Sequence, residues 1–116
     1  MLSTLKVFDP QKFDEQTLGI KEVKVEIKEV FIRQTAQILE SVAEAVRQSD
    51  TDKLGKFLHK LKSSVGLFCQ KKMAEELVYL EKNAEKLGDA EYMRRLQQTE
   101  VDLQLMIQEV RSFSVE

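Results

Sequence analysis

The chain has 116 residues, enough to close one hydrophobic core. Its four glycines and single proline supply too little turn material for a sandwich or barrel of short strands, and its single cysteine excludes an internal disulfide and fits a reducing, cytoplasmic setting. A formal net charge of −2, with acids and bases interspersed, leaves no basic block for nucleic acid and no polybasic run for a membrane surface.

The run Met1–Phe8 lacks the long apolar stretch of a signal peptide, and no apolar run approaches the roughly 20 residues of a membrane span. The first helix signal is Asp9-Pro10, an N-cap residue followed by a proline suited to the first helical position. It predicts a short leading helix over about 10–18, with Phe13 and Leu18 as apolar contacts, broken by Gly19. A second helix over about 21–48 follows, in which Ile27, Val30, Phe31, Ile38, Val42, Ala45 and Val46 recur at helical spacing. Val23, Val25 and Ile27 alternate with charged residues in the manner of a strand. A lone strand would have no partner, so they read as the first turns of the helix.

Ser49-Asp50-Thr51-Asp52 ends that helix and caps a third over about 51–68. A fourth over about 70–87 buries Met73, Leu77, Leu80, Ala84 and Leu87. Gly88-Asp89 then provides a C-terminal glycine and a new N-cap. The fifth helix, over about 90–113, turns Leu96, Leu103, Met106, Val110 and Phe113 inward. The expected fold is all-α: one domain over 1–116, an antiparallel four-helix bundle with the short N-terminal helix covering one end.

The third helix holds the chemistry. At about 100° per residue, Leu54, Phe57, Leu58, Val65 and Phe68 all fall within about 60° of Leu61, a core-facing stripe. His59, the only histidine, falls about 160° away and should project into solvent. Gly55 lies one turn before it on the outer face, Ser63 one turn after and Gly66 two turns after. A glycine inside a helix costs about 0.5–1 kcal/mol relative to alanine, so two beside an exposed histidine suggest clearance for a second protein. Lys56 and Lys62, three residues either side, reach the same region, and their charge suits phosphoryl oxygens. By default such lysines, Lys60 included, form only a solvated face.

The run Leu58-His59-Lys60-Leu61-Lys62-Ser63-Ser64-Val65-Gly66 resembles the signature of histidine-containing phosphotransfer domains, a His-x-Leu-Lys core followed by small residues. Other features agree: a Phe-Asp-containing leader, a Glu-rich second helix with an aromatic at Phe31, an Asp-x-x-x-Leu approach to the histidine helix, and the Gly88-Asp89 turn. Two positions depart from the family pattern. Ser63 and Cys69 stand where glycine is usual, four and ten residues after the histidine.

The resemblance implies a phosphocarrier without autonomous kinase activity. His59 would accept a phosphoryl group from a receiver-domain phosphoaspartate and pass it to another receiver in a two-component phosphorelay. Lys62, then Lys56 and Ser63, would stabilise the phosphoryl group, while Gly55, Gly66 and Lys60 would border the docking surface. Partners would be response-regulator receiver domains or a hybrid sensor kinase, with neither nucleic acid nor membrane involved. The chain itself would need no cofactor, Mg²⁺ residing on the receiver. No nucleotide loop is present, and one His with one Cys offers no ligand-spaced pair for a metal. Cys69 reads as a small hydrophobe near a helix end, and Tyr79 and Tyr92 as bordering the bundle surface. Two other functions stay open: a non-catalytic helical adaptor that binds receivers without phosphoryl exchange, and a self-associating structural bundle.

Overall fold

The computed structural model describes residues 5–114. Met1 to Thr4, part of the run inspected above for a leader, lie outside the described residues, as do the last two. The helices are α1 (Pro10–Gln16), α2 (Lys21–Arg47), α3 (Thr51–Val65), α4 (Lys71–Lys82), a 3₁₀ turn (Ala84–Lys86) and α5 (Ala90–Ser112). The fold is an all-helical bundle. α2 packs against α3 and α5, and α4 against the same two helices, around a core that includes Leu39, Val42, Leu58, Leu61, Leu77, Leu80, Leu96 and Leu103. No helix among the described residues is long and apolar enough to cross a membrane.

Local chemistry sets most helix starts. The carboxylate of Asp9 accepts from Gln11 N and Lys12 N, that of Asp50 from Lys53 N, and that of Asp89 from Glu91 N and Tyr92 N, each satisfying orphan donors of a first turn. α2 begins at Lys21, so Val23 and Val25 lie in helix, on its exposed side.

Several helix ends differ from the sequence expectation. α1 stops at Gln16, not residue 18, because Leu18 and Gly19 both take left-handed backbone, φ 56° and 69°. Leu18 is 81% exposed and makes no core contact. Thr17 is buried instead, its hydroxyl donating to Phe13 O at 2.8 Å. α3 ends at Val65, not Phe68. Beyond it the chain is drawn into extended pairing with the leading segment, where Asp9 N donates to Phe68 O at 2.8 Å and Gln70 N to Val7 O at 2.7 Å. The expected helix over 70–87 is broken at Asn83, whose backbone N–H and side-chain amide both donate to Tyr79 O, at 3.1 and 2.9 Å. The chain then tightens into the 3₁₀ turn. α5 ends at Ser112, one residue short of the expected 113.

The leading segment closes one end of the bundle. Phe8, Phe13, Phe68 and Phe113 meet edge to face at centroid distances of 5.3–6.0 Å, and Phe31 joins through Phe68 at 5.7 Å. Such contacts add about 0.5–1.5 kcal/mol each beyond area burial. Tyr92 is not a surface residue. It is 1% exposed, and its hydroxyl donates to Leu80 O at 2.6 Å, where α4 passes α5.

Candidate functional site

The apolar stripe of α3 fixes how the helix is rotated. Leu54, Leu58, Leu61 and Val65 are buried, so a residue opposite them must face outward. His59 does: its side chain is 59% exposed at the middle of a helix held by packing on its other side.

The imidazole is nonetheless oriented. Its Nδ1 lies 2.9 Å from Oε2 of Glu81 on α4, and Oε1 of the same carboxylate lies 2.7 Å from Nζ of Lys62. Lys62 first, opposed by burial and aided by the His59 contact, holds the Glu81 carboxyl below the usual carboxylate value of 4.5. Glu81 is therefore an anion at neutral pH and can only accept, so the His59 tautomer assigned by this contact carries its proton on Nδ1. The lone pair is then on Nε2.

Glu81 escaped the sequence reading because it lies 22 residues from His59 on another helix. A signal existed. On a helical wheel it falls about 40° from Leu77, on the inner side of α4, where a carboxylate needs a partner. Its side chain is only 25% exposed.

The structure brings Lys62 and His59 together through Glu81. Lys56 is not in that cluster. It lies on the opposite flank of α3, bordering a groove shared with Ser41 and Glu44 of α2. Lys60 lies on that flank too, its Nζ 5.5 Å from the centroid of the Phe57 ring. The Ser63 hydroxyl donates to His59 O at 3.0 Å, so its hydrogen is engaged within α3.

The two glycines differ in kind. A Cβ on Gly55 would sit 3.8 Å from Ala84 Cβ, in ordinary contact with the 3₁₀ turn. A Cβ on Gly66 would sit 2.4 Å from Lys62 O. Gly66 follows the last helical residue as its C-cap, so backbone crowding alone accounts for glycine there. Cys69 is fully buried, and burial pushes its thiol up. Among the described residues no group of three or more His, Cys, Asp or Glu side chains is placed to hold a metal ion.

A family model described as Hpt domain matches residues 26–113. No curated protein and no solved structure matches the chain.

Proposed function

This chain belongs to the Hpt domain family, and on that premise we propose that His59 is a phosphoacceptor that takes its phosphoryl group from a receiver-domain phosphoaspartate and passes it to a second receiver. Membership makes the chain a phosphotransfer module of two-component signalling, a class that interacts with receiver domains and histidine kinases. The observation that supports His59 is its geometry: an outward ring whose Nδ1 is held by Glu81, leaving Nε2 as the free nucleophile.

In the proposed step the Nε2 lone pair attacks the phosphorus of the acyl phosphate. The N–P bond forms as the aspartyl O–P bond breaks, and the aspartate leaves as its carboxylate. The Nδ1 proton stays in place. The ring becomes cationic, and Glu81 offsets that charge. Lys62 can turn from Glu81 toward a phosphoryl oxygen, and transfer onward is the same step reversed. The metal and the remaining transition-state stabilisation belong to the receiver.

Incubation with a phosphorylated receiver, followed by mass spectrometry, tests this. Label should appear on the wild-type chain and be absent from His59→Gln; label that persists in that variant refutes the assignment. Lys62→Ala should slow transfer or shorten the phosphohistidine lifetime, and unchanged kinetics would remove Lys62 from the mechanism. A wild type that binds receiver but takes no label would be an adaptor instead.

A further inference from the structure

The two flanks of α3 differ electrostatically. On the α4 flank Lys62 is neutralised by Glu81. On the α2 flank Lys53, Lys56 and Lys60 are exposed, and among the described residues none of them lies within ion-pair distance of a carboxylate. Glu44, the carboxylate bordering that flank, is held first by Arg47 and also by Gln48, with only a weaker, longer-range attraction from Lys53.

The three lysines stand at i, i+3 and i+7 along one side of the helix, a spacing at which like charges repel. Lys53 also sits in the first turn, where the helix dipole disfavours a cation. An arrangement that weakens its own helix is relieved by an anion.

These lysines border a groove of about 420 Å³ between α2 and α3, with Ser41 at its lip and Ala45 and the half-buried Phe57 as an apolar floor. Lys60 also lines the adjoining hollow of about 380 Å³, which includes His59 and Ser63. Lys60 therefore borders both the groove and the hollow beside the nucleophile.

We propose that this groove seats an acidic segment of the receiver partner, which lays one apolar side chain over Ala45 and Phe57 and sets carboxylates against Lys53, Lys56 and Lys60. The proposal rests on the phosphotransfer reading above and adds the side from which the partner arrives. An acidic surface is attracted along the α2 flank. The α4 flank offers no such attraction, because Lys62 there is already paired with Glu81.

The test uses a receiver domain that exchanges phosphoryl groups with the wild-type chain. Two variants probe the groove: Lys53→Glu with Lys56→Glu reverses its charge, and Ser41→Trp fills it without touching a lysine. Both changes are at the surface of the groove, and circular dichroism checks that the fold is retained. Each variant should weaken the Kd measured by calorimetry about tenfold, and the charge variant should also flatten its salt dependence. Labelling of His59 by phosphoramidate, a small donor that needs no docking, should be unchanged in Ser41→Trp. A Kd within twofold of wild type in either variant overturns the groove proposal while leaving phosphotransfer intact. A wild type that exchanges phosphoryl groups with no receiver defeats the phosphotransfer reading, and the groove with it.

Discussion

Glu109→Gln tests the clasp that fixes the leading segment onto α5. Glu109 is 8% exposed, and its carboxylate accepts three backbone N–H groups: Lys6 on Oε2 at 2.7 Å, and Val7 and Phe8 on Oε1 at 3.1 and 2.9 Å. Glutamine has the same shape but one acceptor oxygen. Its better placement keeps oxygen toward Val7 and Phe8 and turns the amide N–H₂ against Lys6 N–H, donor against donor. The two retained bonds lose charge assistance, costing about 1 kcal/mol each, and the opposed donor costs about 1 kcal/mol more. The sum, about 3 kcal/mol, lowers Tm by about 12 °C at roughly 4 °C per kcal/mol for a domain of this size. Thermal melts followed by circular dichroism measure the drop. Amide hydrogen exchange should show Val7 and Phe8 losing protection before the core of α3. A Tm within 2 °C of wild type, or unaltered exchange at Val7 and Phe8, would mean that the clasp contributes nothing and that the phenylalanine contacts alone hold the segment.

Further outcomes follow from the site and its supports. The Glu81 carboxyl should titrate below 4.5 in a carbon-detected NMR experiment, and Lys62→Ala should move it back toward that value. Because the folded pKa is depressed, its contribution is complete above the unfolded carboxylate range and disappears as pH falls through the lower folded value. Glu81→Ala should cut phosphoramidate labelling about two- to fivefold, the effect of one solvent-screened contact, and nitrogen NMR should show His59 shifting from the Nδ1–H toward the Nε2–H tautomer; unchanged nitrogen shifts would dismiss Glu81 as a positioning residue. The glycines should respond in opposite directions. Gly55→Ala should stabilise by about 0.5–1 kcal/mol through helix propensity, whereas Gly66→Ala should destabilise by about 1–3 kcal/mol because its methyl meets the Lys62 carbonyl. Denaturant titrations that give both the same sign would contradict that distinction. Tyr92→Phe, which strands Leu80 O of one partner, should cost about 1 kcal/mol in the same assay.

The rotation of α3 was legible in the sequence because it is a local property. Leu54, Leu58, Leu61 and Val65 repeat at the helical period, and any helix with that stripe on a core must turn His59 outward. Asp9, Asp50 and Asp89 cap their helices as residue type and position indicate, and Gly88 takes the positive φ, 104°, expected of a glycine after a helical segment. Each of these signals acts within a turn or so of chain. The end of α3 at Val65, the break at Asn83 and the left-handed Leu18 were not legible: each is decided by what the neighbouring segment must reach next.

The sequence by itself determined an all-helical chain, its capped helix starts and an outward histidine followed three residues later by a lysine. Only the tertiary structure decided that Glu81 bridges that pair, that Lys56 stands on the other flank, and that Glu109 clasps a backbone 101 residues away. The physical reason is register. Helical period states which face of each helix is apolar, but the meeting of two polar side chains from different helices depends on how far each is slid and rotated against the other. Core packing sets that, in contacts no single segment encodes.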